Sequence, residues 1–214
     1  MNLEYYYWYF PKAIPKNVCD DILKQADFDK NRETFGIIGG LTKNNRNLSK
    51  EPLTDKEMKD LKDKRDSNVI WMDYRWIYKE LHPYIHTANK NAGWNFEWVF
   101  SEHCQFTKYK KGQYYGWHCD SWDRPYVGEG PTKGKIRKLS MTLSLSNPSE
   151  YKGGELEFDF RNVDPKESNI RVCKEILPKG SLVVFPSFVW HRVKEVTKGT
   201  RYSLVMWNLG KPFK

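Results

Sequence analysis

No stretch of the 214-residue chain approaches the ~18 consecutive apolar residues that a membrane-spanning helix requires, which excludes a helical membrane protein. Cysteine is scarce. The four residues, Cys19, Cys104, Cys119 and Cys173, are scattered, with no CxxC pair and no spacing of a disulfide framework, so free thiols in a reducing compartment are expected. The opening run Met1 to Phe10 is aromatic but lacks a basic segment and a small-residue cleavage site, so it does not read as a secretory signal. The expected location is the cytoplasm. Internal repeats, low-complexity tracts and linkers are also lacking. A second independent domain is not expected at this length.

What the chain has is charge and aromatic side chains. The mean hydropathy of −0.80 with 39% hydrophobic residues suits a globular protein with a heavily charged surface. A formal charge of +9 can steer nucleic acid or an acidic protein. The 36 Lys and Arg are interleaved with 27 acidic residues, however, and read as a solvated basic surface.

Residues 1–95 read as a support region of helices and strands belonging to the same domain. A strand is expected at Tyr5 to Phe10, and an amphipathic helix at Asn17 to Ala26 through Val18, Ile22, Leu23 and Ala26. Residues 29–53 read as polar loops around a short strand near Phe35 to Ile38. A narrow-striped helix is expected at Asp55 to Lys64, an extended segment at Val69 to Met72, and a helix at Tyr74 to Asn91 that Pro83 should kink or split. From residue 96 to 214 the texture becomes short β-rich runs between Gly, Pro and Asn turns. Eight are expected: 96–109, 113–118, 137–147, 154–160, 170–176, 181–186, 188–196 and 200–209. That number in so short a span predicts a mainly β fold with flanking helices, a jelly roll or double-stranded β-helix. The loop 121–135 reads either as a lid or as a surface insertion.

Chemistry concentrates in Tyr109-Lys-Lys-Gly-Gln-Tyr-Tyr-Gly-Trp-His118-Cys-Asp120. On a strand, alternate side chains share a face, so His118 and Asp120 can bind one ion while Cys119 points away. Of the five histidines, His82 and His86 lie four apart on the expected third helix with no Glu or Cys at suitable spacing and read as structural or solvent-facing, and His103, on a strand, reads as a packed or surface residue. His191 remains. Two imidazoles and one carboxylate on one face of an octahedral ion are the facial triad of non-haem Fe(II) oxygenases, with zinc the main competitor. Arg201, ten residues further on, can grip a carboxylate through two N–H groups.

Four ordered blocks carry a resemblance: Tyr109 to Asp120, Leu139 to Pro148, Tyr151-Lys-Gly-Gly-Glu-Leu156, and Leu177 to Ser187 followed by His191 to Arg201. Together they closely resemble the prolyl/lysyl-hydroxylase-type (PKHD-type, prolyl 4-hydroxylase-like) Fe(II)/2-oxoglutarate dioxygenases over residues 96 to 211. The resemblance implies that His118, Asp120 and His191 hold iron and that Arg201 anchors 2-oxoglutarate, helped by Tyr109 and Ser140. It also implies that Tyr115 and Trp207 surround the substrate, with Arg124 a further contact. The implied cofactors are Fe(II), 2-oxoglutarate and O2, with ascorbate as reductant, and the implied partner is a proline-containing protein or peptide hydroxylated with release of succinate and CO2. Lysyl hydroxylation is the nearest alternative. A nucleic-acid demethylase is a third reading, against which stands the lack of a second Arg soon after Arg201. A non-catalytic jelly-roll binding module would have no use for the triad.

Overall fold

The computed structural model of the chain describes residues 5–38, 53–121, 124–127, 129–160 and 169–213. Much of the expected 29–53 loop, including Gly39 and Gly40, and residues 122, 123 and 128 of the 121–135 loop lie outside them. The first part supplies β1 (Trp8–Phe10), α1 (Lys16–Phe28), β2 (Thr34–Phe35), α2 (Asp55–Lys62), β3 (Arg65–Asp66), β4 (Asn68–Met72) and α3 (Arg75–Asn91). Then come β5 (Phe100–Ser101), β6 (Cys104–Lys110), β7 (Tyr114–His118), β8 (Ile136–Ser144), β9 (Tyr151–Gly153) and β10 (Leu156–Asp159). The last four strands are β11 (Ile170–Val172), β12 (Leu182–Pro186), β13 (Trp190–Val193) and β14 (Val196–Gly210). Among the described residues, no helix is long and apolar enough to cross a membrane.

The helices form for local reasons. In α2, Thr54 and Glu57 make a reciprocal capping box, with Glu57 N–H donating to Thr54 Oγ1 (3.3 Å) and Thr54 N–H to Glu57 Oε2 (2.9 Å). In α3, Ile77, Leu81, Ile85 and Ala88 make one fully buried stripe. Pro83 does not split this helix, which runs on to Asn91. Pro83 is exposed, and so is Lys79, whose carbonyl has no helical N–H to accept from at the proline.

Two antiparallel sheets build the core. The larger runs β1-β12-β8-β14-β6-β4-β2, with β5 and β9 also paired to β14; the smaller runs β11-β10-β13-β7-β3. This is the expected jelly roll, with β2 and β4 continuing the larger sheet and β3 closing an edge of the smaller. The long strand expected over 96–109 is interrupted. Phe96 is held by α3 instead, because Asn89 at the end of that helix both donates to and accepts from the Phe96 backbone at 2.9 Å.

The larger sheet has two unlike faces, and strict alternation makes them. In Leu139-Ser-Met-Thr-Leu143, the residues Leu139, Met141 and Leu143 join Leu204 and Met206 of β14 and Cys104 and Phe106 of β6 in the core beneath α1 and α3. The residues between them, Ser140, Thr142, Arg201, Ser203, Trp207, Gln105 and Tyr109, turn to the other face. Pleat geometry thus places a polar row opposite the smaller sheet, and that is where the site lies.

Candidate metal centre

His118 ends β7 and His191 lies on β13, and the antiparallel register sets the two directly opposite one another. Asp120 follows His118 by two residues and is fixed by its own backbone, whose N–H donates to the Ser187 carbonyl at 2.8 Å. The result is a cluster in which one potential ligand atom from each of His118, Asp120 and His191 lies within 4.8 Å of the others. His118 Nε2 is 3.8 Å from Asp120 Oδ1, and His191 Nε2 is 3.5 Å from Asp120 Oδ2. Among the described residues this is the only group of three or more such side chains close enough to hold an ion.

The surroundings prepare these atoms for a cation. His118 Nδ1 is 2.8 Å from the Gly116 carbonyl and His191 Nδ1 is 2.9 Å from the Val189 carbonyl. Carbonyls only accept, so each Nδ1 carries a proton and each Nε2 is left facing the cluster. Burial, helped by the neighbouring His191, pushes the His118 pKa down to about 3, so its imidazole is neutral at physiological pH. Asp120 is almost fully buried, which works against its charge. Yet His191, His118, Arg137 and the Ser140 hydroxyl, which donates to Oδ2 at 2.7 Å, together hold its pKa below the usual carboxylate value. Two imidazoles, that of His118 held neutral, and one ionised carboxylate in a largely buried niche fit a divalent metal.

Two joined cavities share the cluster. The inner one runs between the sheets from the triad to Arg201, past Tyr109, Thr142, Leu156 and Ser203. Arg201 is buried, and its Nη1 donates to Ser203 Oγ at 3.1 Å. It pairs across the strands with Tyr109, over whose ring its guanidinium lies at 5.6 Å. Among the described residues no carboxylate stands within ion-pair distance of it. An uncompensated buried cation at the end of a cavity fits an anionic group. Burial raises the Tyr109 pKa, so its hydroxyl stays protonated and can donate.

The outer cavity opens on the other side of the triad. Tyr115 lies flat on His118, with ring centroids 3.5 Å apart and planes 11° apart, and Arg65 caps its other face at 4.5 Å. Trp207 forms a second wall, with the Arg137 guanidinium stacked 3.8 Å from its ring centre and Trp71 at 6.0 Å. Arg137 is clamped by Glu102 through both Nε (2.9 Å) and Nη2, and Tyr126 from the 121–135 loop donates to the same carboxylate at 3.1 Å. The loop therefore touches the rim of the site through Tyr126.

Most of the residues singled out from the sequence converge here: His118, Asp120, His191, Arg201, Tyr109, Tyr115 and Trp207 all line the cavities. Two do not. Ser140 reaches Asp120 and Ser187 (2.9 Å) rather than the inner cavity; Thr142, one pleat further on, lines the cavity instead. Arg124 is exposed and lines neither cavity. Arg65, Arg137, Gln105, Trp71 and Ser187 were not foreseen. Alternation along the block containing Ser140 was the one available signal, since it places Thr142 on the same face. His82 and His86 are structural, flanking Trp98, with His82 bonded to Ser101 Oγ at 3.0 Å.

Comparison with known proteins agrees with this geometry. Residues 104–208 match the family model of the 2OG-Fe(II) oxygenase superfamily. A PKHD-type hydroxylase of Prochlorococcus marinus is 39% identical over 103 residues, which are 48% of this chain and 39% of that relative. The chain thus spans well under half the length of that relative. A prolyl-4-hydroxylase from Pseudomonas putida superposes with a TM-score of 0.63 at 16% identity, covering 98% of this chain and 95% of the other. A prolyl hydroxylase from Trichoplax adhaerens, solved with a peptide fragment of hypoxia inducible factor, gives a TM-score of 0.59 at 15% identity, covering 96% and 84%. With its jelly-roll fold and its buried His-Asp-His cluster, the chain is similar to the 2OG-Fe(II) oxygenases of the PKHD-type and prolyl 4-hydroxylase-like kind.

Proposed function

We propose that the protein is an Fe(II)- and 2-oxoglutarate-dependent dioxygenase that hydroxylates a prolyl side chain of a protein or peptide. The observation that carries this reading is the arrangement of two Nδ1-tethered imidazoles and one buried carboxylate between two cavities, one ending at an uncompensated arginine. His118, Asp120 and His191 would hold the iron. Arg201 receives the distal carboxylate of 2-oxoglutarate, and the Tyr109 hydroxyl donates beside it. Thr142 takes the place first assigned to Ser140, whose hydroxyl instead fixes the orientation of Asp120. When bound, the iron and the keto acid supply the oxidising power: one oxygen atom of O2 enters the substrate C–H bond and the other enters succinate, with release of CO2. The protein supplies position and a site from which water is largely excluded.

The outer cavity favours proline over lysine. Its aromatic walls, Tyr115 and Trp207, suit an apolar ring, and Arg65 and Arg137 line it as well. The only carboxylate among its described residues is Asp120, already committed to the cluster. A lysyl ammonium would meet two guanidinium groups and no free partner. The peptide carried by the Trichoplax structure supports a peptide as substrate.

The test is direct. The protein is incubated with Fe(II), ascorbate, 2-oxoglutarate and proline-containing or lysine-containing peptides, and fragmentation mass spectrometry locates any added oxygen. Peptide-stimulated succinate with oxygen on proline is expected. Oxygen on lysine would replace the proposal with its rival, and no stimulated succinate with any peptide would end it.

A further inference from the structure

Five side chains line both cavities: Gln105, Tyr115, His118, Asp120 and Trp207. The cluster and the aromatic walls account for four of them, and Gln105 is left. It lies on β6, on the cavity face of the larger sheet, and the residue is only 5% exposed. Its Nε2 donates to Thr107 Oγ1 at 3.0 Å, which fixes the plane of the amide. Its Oε1 has no hydrogen-bond partner among the described residues. Nor is Oε1 among the fully sealed side-chain atoms that lack one, so it keeps contact with the open space of the cavities. Tyr115 carries a hydroxyl that can give as well as take, Asp120 is committed to the cluster, and Trp207 only donates. Gln105 Oε1 is therefore the one purely accepting side-chain atom at the junction that the cluster does not use.

We infer that Gln105 receives the hydroxyl that the reaction creates, so that the hydroxylated product is held more tightly than the substrate. This inference rests on the proposed hydroxylation and assigns a role that the groups binding the substrate and 2-oxoglutarate do not cover. It follows from what each participant can donate. 2-Oxoglutarate, O2, succinate and CO2 bring only acceptors at neutral pH, and a prolyl residue has an apolar ring and no N–H. None of them can pair with Oε1, which is left to water before turnover. Hydroxylation places one new O–H on the carbon that faces the cluster, at the junction where Gln105 lies. The bond it donates to Oε1 replaces a water with the product and adds to the product's affinity on the scale of one hydrogen bond. Thr107 is a positioning residue here, since it holds the other end of the amide.

The experiment takes a peptide that the wild type hydroxylates and compares its binding before and after hydroxylation, on Fe(II)-loaded protein kept free of O2 with succinate present. The wild type is expected to bind the hydroxylated peptide about fivefold more tightly than its parent. Gln105→Met keeps the bulk and removes the acceptor. The order should then reverse, with the hydroxylated peptide about tenfold weaker than its parent, because its hydroxyl is buried without a partner. Gln105→Glu keeps an acceptor and should keep the preference, while Thr107→Val should reduce it to about twofold. Iron content and melting temperature are recorded for each variant, and a general loss of folded protein leaves the ratio of the two affinities unmoved. Equal ratios in the wild type and Gln105→Met overturn the inference. So does a preference lost in Gln105→Glu, which would mean that a donor faces the product. In either case a wild type that still hydroxylates its peptide leaves the proposed function standing. If no peptide is hydroxylated, the proposed function falls and this inference falls with it.

Discussion

Replacing Gly154 by alanine should damage the site although no residue that lines it is replaced. Gly154 has φ +66°, and a Cβ built there would lie 2.9 Å from Arg201 Cδ and 2.9 Å from Val196 Cγ2. Adopting the left-handed backbone costs an alanine about 1–2 kcal/mol. Crowding two buried side chains adds about 1–2 kcal/mol more, the low end of overpacking. Gly112 provides the control. Its φ is +87°, but its Cβ would have nothing within 4 Å, so Gly112→Ala carries the backbone cost alone. With a urea slope of about 2 kcal/mol per M, the midpoint should fall by about 1–2 M for Gly154→Ala and by about half that for Gly112→Ala. The difference between them is strain placed on the stem of Arg201. Because Arg201 is proposed to hold the distal carboxylate, KM for 2-oxoglutarate should rise about tenfold in Gly154→Ala and stay near wild type in Gly112→Ala. Equal KM values in the two variants would show that the guanidinium does not depend on the space above Gly154, and the reasoning would be refuted.

Metal-free protein should lose stability as the pH falls from about 6.5 towards about 3. In that window the unfolded chain protonates His118 and the folded state refuses the proton, so this one group contributes a slope of up to about 1.4 kcal/mol per pH unit. Urea melts at pH 7, 6 and 5 would show it, and His118→Gln should flatten the dependence; an unchanged slope in the variant would assign the effect elsewhere. Glu102→Gln leaves the partly buried Arg137 charge without its carboxylate and should cost about 3 kcal/mol in the same melts. A loss below about 1 kcal/mol would mean that solvent already screens the pair. Ser140→Ala removes the donor to Asp120 Oδ2 and should weaken Fe(II) or Co(II) binding about tenfold, read by metal titration. Unaltered metal affinity would make that hydroxyl incidental to the centre.

The parts of the site that could be read from the sequence are those that strand geometry or a motif fixes. His118 and Asp120 share a face because they are two apart, and the pairing of β13 with β7 brings His191 opposite them. Arg201 meets Tyr109 for the same reason, as a cross-strand neighbour. Arg65 could not be read in this way. It sits on a two-residue strand with no periodicity of its own, and its burial follows from β3 pairing with β7 fifty residues later in the chain. Arg137 looks like any cation at the start of a strand until Glu102, from a segment expected to be continuous strand, is folded back against it. The boundaries failed where side chains compete for the backbone, as Asn89 does at Phe96. The interruption of a helix at Pro83 failed because exposure removes most of the cost of a missing backbone bond.

The two unlike faces of the larger sheet constrain how this protein can vary. Along β14, Arg201, Ser203 and Trp207 face the cavities while Leu204 and Met206 face the helices, so core and catalytic surface differ only by the parity of the residue number. One inserted residue between Arg201 and Trp207 would exchange the two rows downstream of it. It would put an indole beneath α3 and a methionine beside the metal ligands. The irregularity between Asn208 and Leu209, where the pairing with β8 shifts, comes just after the last cavity residue, the one place along that ladder where the count can change without cost to the site. Substitutions in this strand can therefore tune the pocket one side chain at a time, but a change of length within it removes the pocket and the core together.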